Sequence, residues 1–149
     1  MEKMLLSDSE LGKILVNIVF IAQTLANENF LKHQNGDALS YTGLKLASMK
    51  ASLLDLKVAA HQDMLEKEVV LGQAKAKAYK KAMAETNATA AKDGKYDNEE
   101  FMQAHRDYNA AKVQFEKLKS VVADTHDLID AIKSRVIDLQ GARKDESLK

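Results

Sequence analysis

The chain has no cysteine, no proline and no tryptophan, and only 6 glycines in 149 residues. Without cysteine there is no disulfide, no thiolate metal ligand and no thiol nucleophile. Without proline the commonest helix breaker is missing along the whole length. Aromatic residues make up only 5%, and no run of alternating β-branched residues reads as a strand. What is abundant instead is alanine, lysine, leucine, glutamate and aspartate, the composition of long helices. The fold expected is all-α.

A charge excess of either sign is also lacking, with 22 basic against 22 acidic residues. No global basicity therefore advertises nucleic acid. The charge is unevenly placed, however. Residues 41–96 carry ten lysines against six acids, whereas the flanking segments are each acidic by two. A membrane span is lacking too, because the longest apolar run, Ile14–Ala22, is short and contains Asn17. Acids at Glu2, Asp8 and Glu10 precede that run in place of the basic start of an export signal. The expectation is a cytoplasmic protein with no membrane association.

Three helical segments follow from the spacing of apolar residues. Ser7 with Glu10 makes a capping box, and Leu11, Ile14, Leu15, Ile18, Ala22 and Leu25 form a stripe behind it. Val16, Val19, Phe20 and Ile21 widen the stripe until the helix is apolar nearly all round. Such a helix must be covered from several sides, either within its own subunit or between subunits. A single hairpin offers too little surface to cover it, which favours the interface. His33–Asp37 then reads as a loop with an Asn-Gly turn.

The second segment runs from about Asp37 to Thr86, roughly 75 Å of helix at 1.5 Å per residue. It carries two adjoining seams. One is Ala47, Ala51, Leu54, Val58, His61, Leu65, Val69, Gly72, Ala76, Tyr79 and Met83, with one four-four slip; the other is Leu46, Met49, Leu53, Leu56 and Ala60. Two seams require two partners. Thr86–Glu100 is a polar connector with Asp93 and Gly94 as turn residues, and Asp97 with Glu100 is a candidate cap for the third helix.

The third segment has the cleanest pattern. Phe101, Ala104, Tyr108, Ala111, Phe115, Leu118, Val122, Thr125, Ile129, Ile132, Val136 and Leu139 alternate three and four apart without a slip, and only Thr125 is polar. An antiparallel coiled-coil pairing with the second helix is the natural consequence. Gly141 is a candidate cap, followed by a polar, frayed tail. Residues 1–36 thus read as an N-terminal apolar helix and residues 37–149 as a long, elongated helical hairpin. The two adjoining seams call for a partner beyond the hairpin itself, which points to a homo-oligomer.

Catalytic chemistry finds no footing. His33, His61, His105 and His126 share no metal-ligand spacing, and Asp124, Asp127 and Asp130 read as a solvated acidic face. No phosphate loop, nucleophile elbow or dinucleotide fingerprint occurs. The expectation is a non-enzyme without cofactor or metal. Ala74–Glu85 is different, because Lys75, Lys77, Lys80 and Lys81 fall within seven residues with no acid until Glu85. Two readings stand side by side: a solvated lysine face, which long helices carry routinely, or a surface for a phosphate backbone. Lys133 and Arg135 flank the third seam, where they fit ion pairs across the helix contact and not DNA.

The string Ile129-Asp130-Ala131-Ile132-Lys133-Ser134-Arg135 near the end of the long C-terminal helix, with Lys75-Ala76-Lys77 a little over fifty residues upstream, resembles the UvsY family. These are the recombination mediator proteins of T-even-like phages, and the similarity covers roughly residues 45–140. Lys77 stands where the family carries arginine. The resemblance implies a non-enzymatic protein that binds single-stranded DNA as a ring-like homo-oligomer. It also implies a role in helping a RecA-like recombinase take the place of single-strand-binding protein. Lys75 and Lys77 would be the DNA-contacting pair, with Lys80 and Lys81 added by helix geometry. The C-terminal helix would serve self-assembly through Phe115, Leu118, Val122, Ile129, Ile132, Val136 and Leu139, and the place of action would be the cytoplasm of an infected host cell. The alternative is a coiled-coil structural, assembly or chaperone-like phage protein with protein partners only, for which the lysines are a solvated face.

Overall fold

The computed structural model describes residues 8–26 and 36–148. Helix α1 spans Asp8–Ala26, α2 Gly36–Glu85, α3 Ala88–Gly94 and α4 Glu99–Ser147, with a 3-10 turn at Lys95–Asp97. Only Thr86, Asn87, Asn98 and Leu148 stand outside helices, and no strand occurs among the described residues. The all-α expectation holds. The long helices α2 and α4 comprise 50 and 49 residues.

The chain divides into two compact units, one of Met1–Leu56 with Lys119–Lys149 and the other of Lys57–Leu118. This division runs through both long helices and does not set residues 1–36 apart. In the first unit Leu39, Leu46 and Leu53 of α2 are buried, as are Val122, Thr125, Ile129 and Ile132 of α4. A Cβ placed on Gly43 would lie 3.3 Å from Ile132 Cγ2, and Lys50 Nζ lies 2.9 Å from His126 Nδ1. Moving forward along α2 therefore moves backward along α4. The two helices are antiparallel there. The second unit shows the same sense: His61 stacks on Phe115 at 4.7 Å, and Lys77 reaches Glu100 at 3.4 Å. Its core gathers Ala74, Ala78, Phe101 and Ala104, with Leu71 and Met102 packed against them. Small residues at 74, 78 and 104 leave room for close helix packing around one large ring.

Every residue of the α4 seam from Phe101 to Leu139 is buried or half-buried. Thr125, its one polar member, is fully buried, and its hydroxyl donates to the Val121 carbonyl at 2.7 Å. That bond inside the helix satisfies the hydroxyl without a partner from another element.

On α2 the two seams have different fates. Leu46 and Leu53 are buried, and Met49, Leu56 and Ala60 are half-buried. Along the other seam Leu54, Val58, Leu65, Val69 and Met83 are exposed, as are Ala47, Ala51, His61, Gly72 and Ala76, while Tyr79 is half-buried. The buried line continues without a slip through Lys50, Leu53, Lys57, Ala60, Met64, Lys67, Leu71, Ala74 and Ala78, all buried or half-buried. Three lysines belong to it because their aliphatic stems cover the contact while the ammonium groups reach water.

Several local expectations are corrected. Asn98, not Asp97, caps α4, its side-chain oxygen accepting from the Phe101 amide at 3.0 Å. The connector is itself largely helical. Asn87 caps α3 through the Ala90 amide at 3.0 Å, and Gly94 keeps right-handed helical angles instead of forming a turn. Gly36 and Asp37 already lie in the first turn of α2, where Asp37 suits the positive end of the helix dipole. Gly141 does not end α4, because the helix continues through the polar tail to Ser147. With no proline to stop it and a tail of good helix formers, α4 simply propagates.

In α1, Ile18 is buried and Ile14, Leu15, Ile21 and Ala22 are half-buried, whereas Val16, Val19 and Phe20 are exposed. The helix therefore keeps Val16 and Val19 turned to solvent within the chain. Ser7 and the His33–Asn35 part of the loop fall outside the described residues, and the side chains of Leu11 and Leu25 are not among those described. No helix among the described residues is long and apolar enough to cross a membrane.

Candidate nucleic-acid interface

Ala74 and Ala78 fix the orientation of the lysine-rich end of α2, since both are buried against the Phe101 cluster. At about 100° per residue, the positions between and beside them are turned outward. Lys75, Lys77, Lys80 and Lys81 are all exposed. Lys77 and Lys81, one turn apart, lie to one side of the buried edge. Lys75 lies to the other side, and Lys80 points away from the core. The four ammonium groups thus wrap the outer surface of α2 instead of sharing one narrow face.

Of the four, only Lys77 has an ion-pair partner among the described residues. Its Nζ lies 3.4 Å from Glu100 Oε1, with the two side chains 72% and 66% exposed. A pair so open to water is worth little and exchanges readily for another anion. Glu100 sits in the first turn of α4, where a carboxylate also suits the helix dipole.

The same unit holds groups that the sequence reading left out. Lys92 is exposed on α3 and Lys95 is half-buried. The Lys95 ammonium lies 5.0 Å from the ring centroid of the exposed Tyr96. Tyr96 in turn meets the buried Phe101 edge-on at 5.7 Å. The clue was present in the string "KDGKY", but a polar connector with a turn at Asp93 and Gly94 gives no reason to place an aromatic beside a cation.

The residues assigned to self-assembly are placed differently. Leu118, Val122, Ile129 and Ile132 are buried within the single chain. Phe115, Val136 and Leu139 are half-buried, with Phe115 covered by the His61 ring. The α4 seam is largely spent on the chain's own core, because α2 offers it a matching line. Lys133 pairs with Asp130 of its own helix at 3.5 Å, and not across the helix contact. Arg135 is half-buried, with a buried Nε that has no hydrogen-bond partner among the described residues.

His126 bridges Lys50 at 2.9 Å and Asp130 at 3.4 Å. His105 Nδ1 meets Asn109 at 3.1 Å. Asp130 is engaged with His126 and Lys133 and does not gather with Asp124 and Asp127 around an ion site. No group of three or more metal-binding side chains occurs among the described residues.

The chain matches no protein-family model, no curated protein and no solved structure.

Proposed function

We propose that this protein is a non-enzymatic recombination mediator that binds single-stranded DNA and assists loading of a RecA-like recombinase in place of single-strand-binding protein. The observation that carries this reading is the lysine-rich end of α2. Four exposed ammonium groups occupy seven residues of a helix anchored by Ala74 and Ala78, and among the described residues only Lys77 is paired. Lysines so placed contact phosphates without reading bases, which suits a protein that must accept any strand. The resemblance of Lys75-Ala76-Lys77 and Ile129–Arg135 to the UvsY family points the same way.

One patch of four lysines binds weakly, so the function calls for several copies acting on one strand, as in a ring-like homo-oligomer. The antiparallel pairing of α2 and α4 seen within each unit supports an elongated coiled-coil hairpin as the building block. A recombinase assay tests the reading. Recombinase filaments are grown on single strands already coated with single-strand-binding protein, with and without the protein. Faster filament growth that disappears with K75A/K77A is expected. Growth unaffected by the wild-type protein contradicts the proposal.

One observation favours a second reading, a coiled-coil assembly protein with protein partners only. The exposed apolar residues on α2 need a protein, not a nucleic acid, to cover them. Co-elution with a helical protein partner but never with single-stranded DNA at low salt would establish that alternative.

A further inference from the structure

The α2 helix of the second unit carries an uncovered apolar line that the chain's own core does not use. Val58, Leu65 and Val69 are 57%, 44% and 60% exposed, and Met83 is 41% exposed. Gly72 and Ala76 complete the line on the same side, and His61, whose ring lies against Phe115, marks its edge toward the core. Val58, Leu65, Val69, Gly72, Ala76 and Met83 follow one another at seven, four, three, four and seven residues, which keeps them on one face of a straight helix, and another helix fits such a row. From Val58 to Met83 the row extends for roughly 38 Å at 1.5 Å per residue.

We infer that this face pairs with the same face of a second copy of the chain, running antiparallel about a two-fold axis beside Val70 and Leu71. The pattern of the row is what selects this occupant. Reversing one copy about that axis sets Leu65 opposite Ala76, Val69 opposite Gly72 and Val58 opposite Met83. The first two pairings put a bulky side chain against a small one, so the helices close without a gap or a clash. Charge selects the same direction. Glu68 borders the row on the side of Lys75, and Glu66 borders it on the side of Lys80. In an antiparallel pair each border faces its own reversed copy, so Glu68 approaches Lys75 of the second chain and Gln62 approaches Lys80. A parallel pair would set acids beside acids at residues 66 and 68 and lysines beside lysines at residues 75 and 80. The pairing leaves Lys77 and Lys81 on the far side of the helix, and it does not depend on DNA binding. An assembly built from such pairs holds an even number of chains.

Light scattering on the full chain, wild type against L65E/V69E, reads the pairing. Both positions are exposed, so helix content by circular dichroism should be unchanged while the mass falls by half or more. A wild-type protein that is monomeric or has an odd number of subunits overturns the inference, as does an L65E/V69E mass equal to wild type. Because the chain has no cysteine of its own, the register is read separately by mixing V69C with G72C under oxidation. Strong V69C–G72C cross-linking that exceeds that of either variant alone is expected, and V69C linking best to itself refutes the antiparallel register. A gel shift separates this test from the DNA reading, since K77A/K81A, which lie outside the paired face, can weaken DNA binding without reducing the mass.

Discussion

Leu53 and Leu54 are neighbours of identical chemistry on opposite sides of the boundary between core and solvent, and substituting each by alanine gives opposite predictions. Leu53 is 0% exposed and Leu54 40% exposed. Truncating Leu53 removes three buried carbons and leaves a cavity in a line that continues through Leu46 and Lys50. Such changes cost about 3–5 kcal/mol when the site cannot collapse, and we expect about 3 kcal/mol here because lysine stems nearby can shift. For a chain of this size, that loss lowers the melting temperature by about 6–12 °C. Truncating Leu54 forfeits only part of a transfer term of about 1.5–3 kcal/mol and opens no closed cavity. Alanine is also the better helix former, so the net cost of Leu54→Ala is about 1 kcal/mol or less. Urea titrations followed by circular dichroism at constant protein concentration measure both, with unchanged slope expected for each. If Leu54→Ala costs as much as Leu53→Ala, the core line drawn here on α2 is wrong.

Three further outcomes follow from single positions. Asn98→Ala removes the cap at Phe101 and should cost about 1 kcal/mol by the same titration, while Asp97→Ala should leave stability within about 0.5 kcal/mol. Gly141 lies within α4 with nothing inside 4 Å of an added Cβ. Gly141→Ala should therefore stabilise the protein by about 0.5–1 kcal/mol, whereas a helix that stopped at Gly141 would gain nothing. Glu100→Gln frees Lys77 and should tighten single-strand binding by up to about fivefold, the equivalent of the ~1 kcal/mol ceiling for an exposed pair. Weaker binding in an anisotropy titration would show that Lys77 does not face the strand.

The sequence was most legible where apolarity and burial coincide. All twelve α4 positions from Phe101 to Leu139 could be named from spacing, because eleven are apolar and Thr125 satisfies its hydroxyl within the helix. On α2 the same method traced the exposed row along the whole helix but followed the buried line only from Leu46 to Ala60. The exposed row offers Leu54, Val58, Leu65 and Val69, whereas the buried line contains Lys50, Lys57 and Lys67 and the small Ala60, Ala74 and Ala78. Counting bulky apolar residues misses a contact made by lysine stems and close-packed alanines. The exposure of Lys75, Lys77, Lys80 and Lys81 could be read from the helix period, but the Lys77–Glu100 pair could not. It depends on how α2 and α4 meet, and two helices of about fifty residues allow many registers until the buried line is known. The connector was misread because Asp93-Gly94 is turn chemistry in isolation, while Asn87 and Asn98 supply the caps that make its flanks helical.

The salt dependence of single-strand binding tests the central claim most directly. Fluorescence anisotropy of a labelled oligothymidylate, titrated at several sodium chloride concentrations, gives the slope of log affinity against log salt. Four lysines on a single strand predict a slope of about −3 per chain engaged, reduced by about 0.7 for each lysine removed. Binding that weakens along this slope, and flattens for K75A/K77A with helix content intact, is the predicted result. Absence of binding at low salt, or a slope unchanged by K75A/K77A/K80A/K81A, contradicts the account.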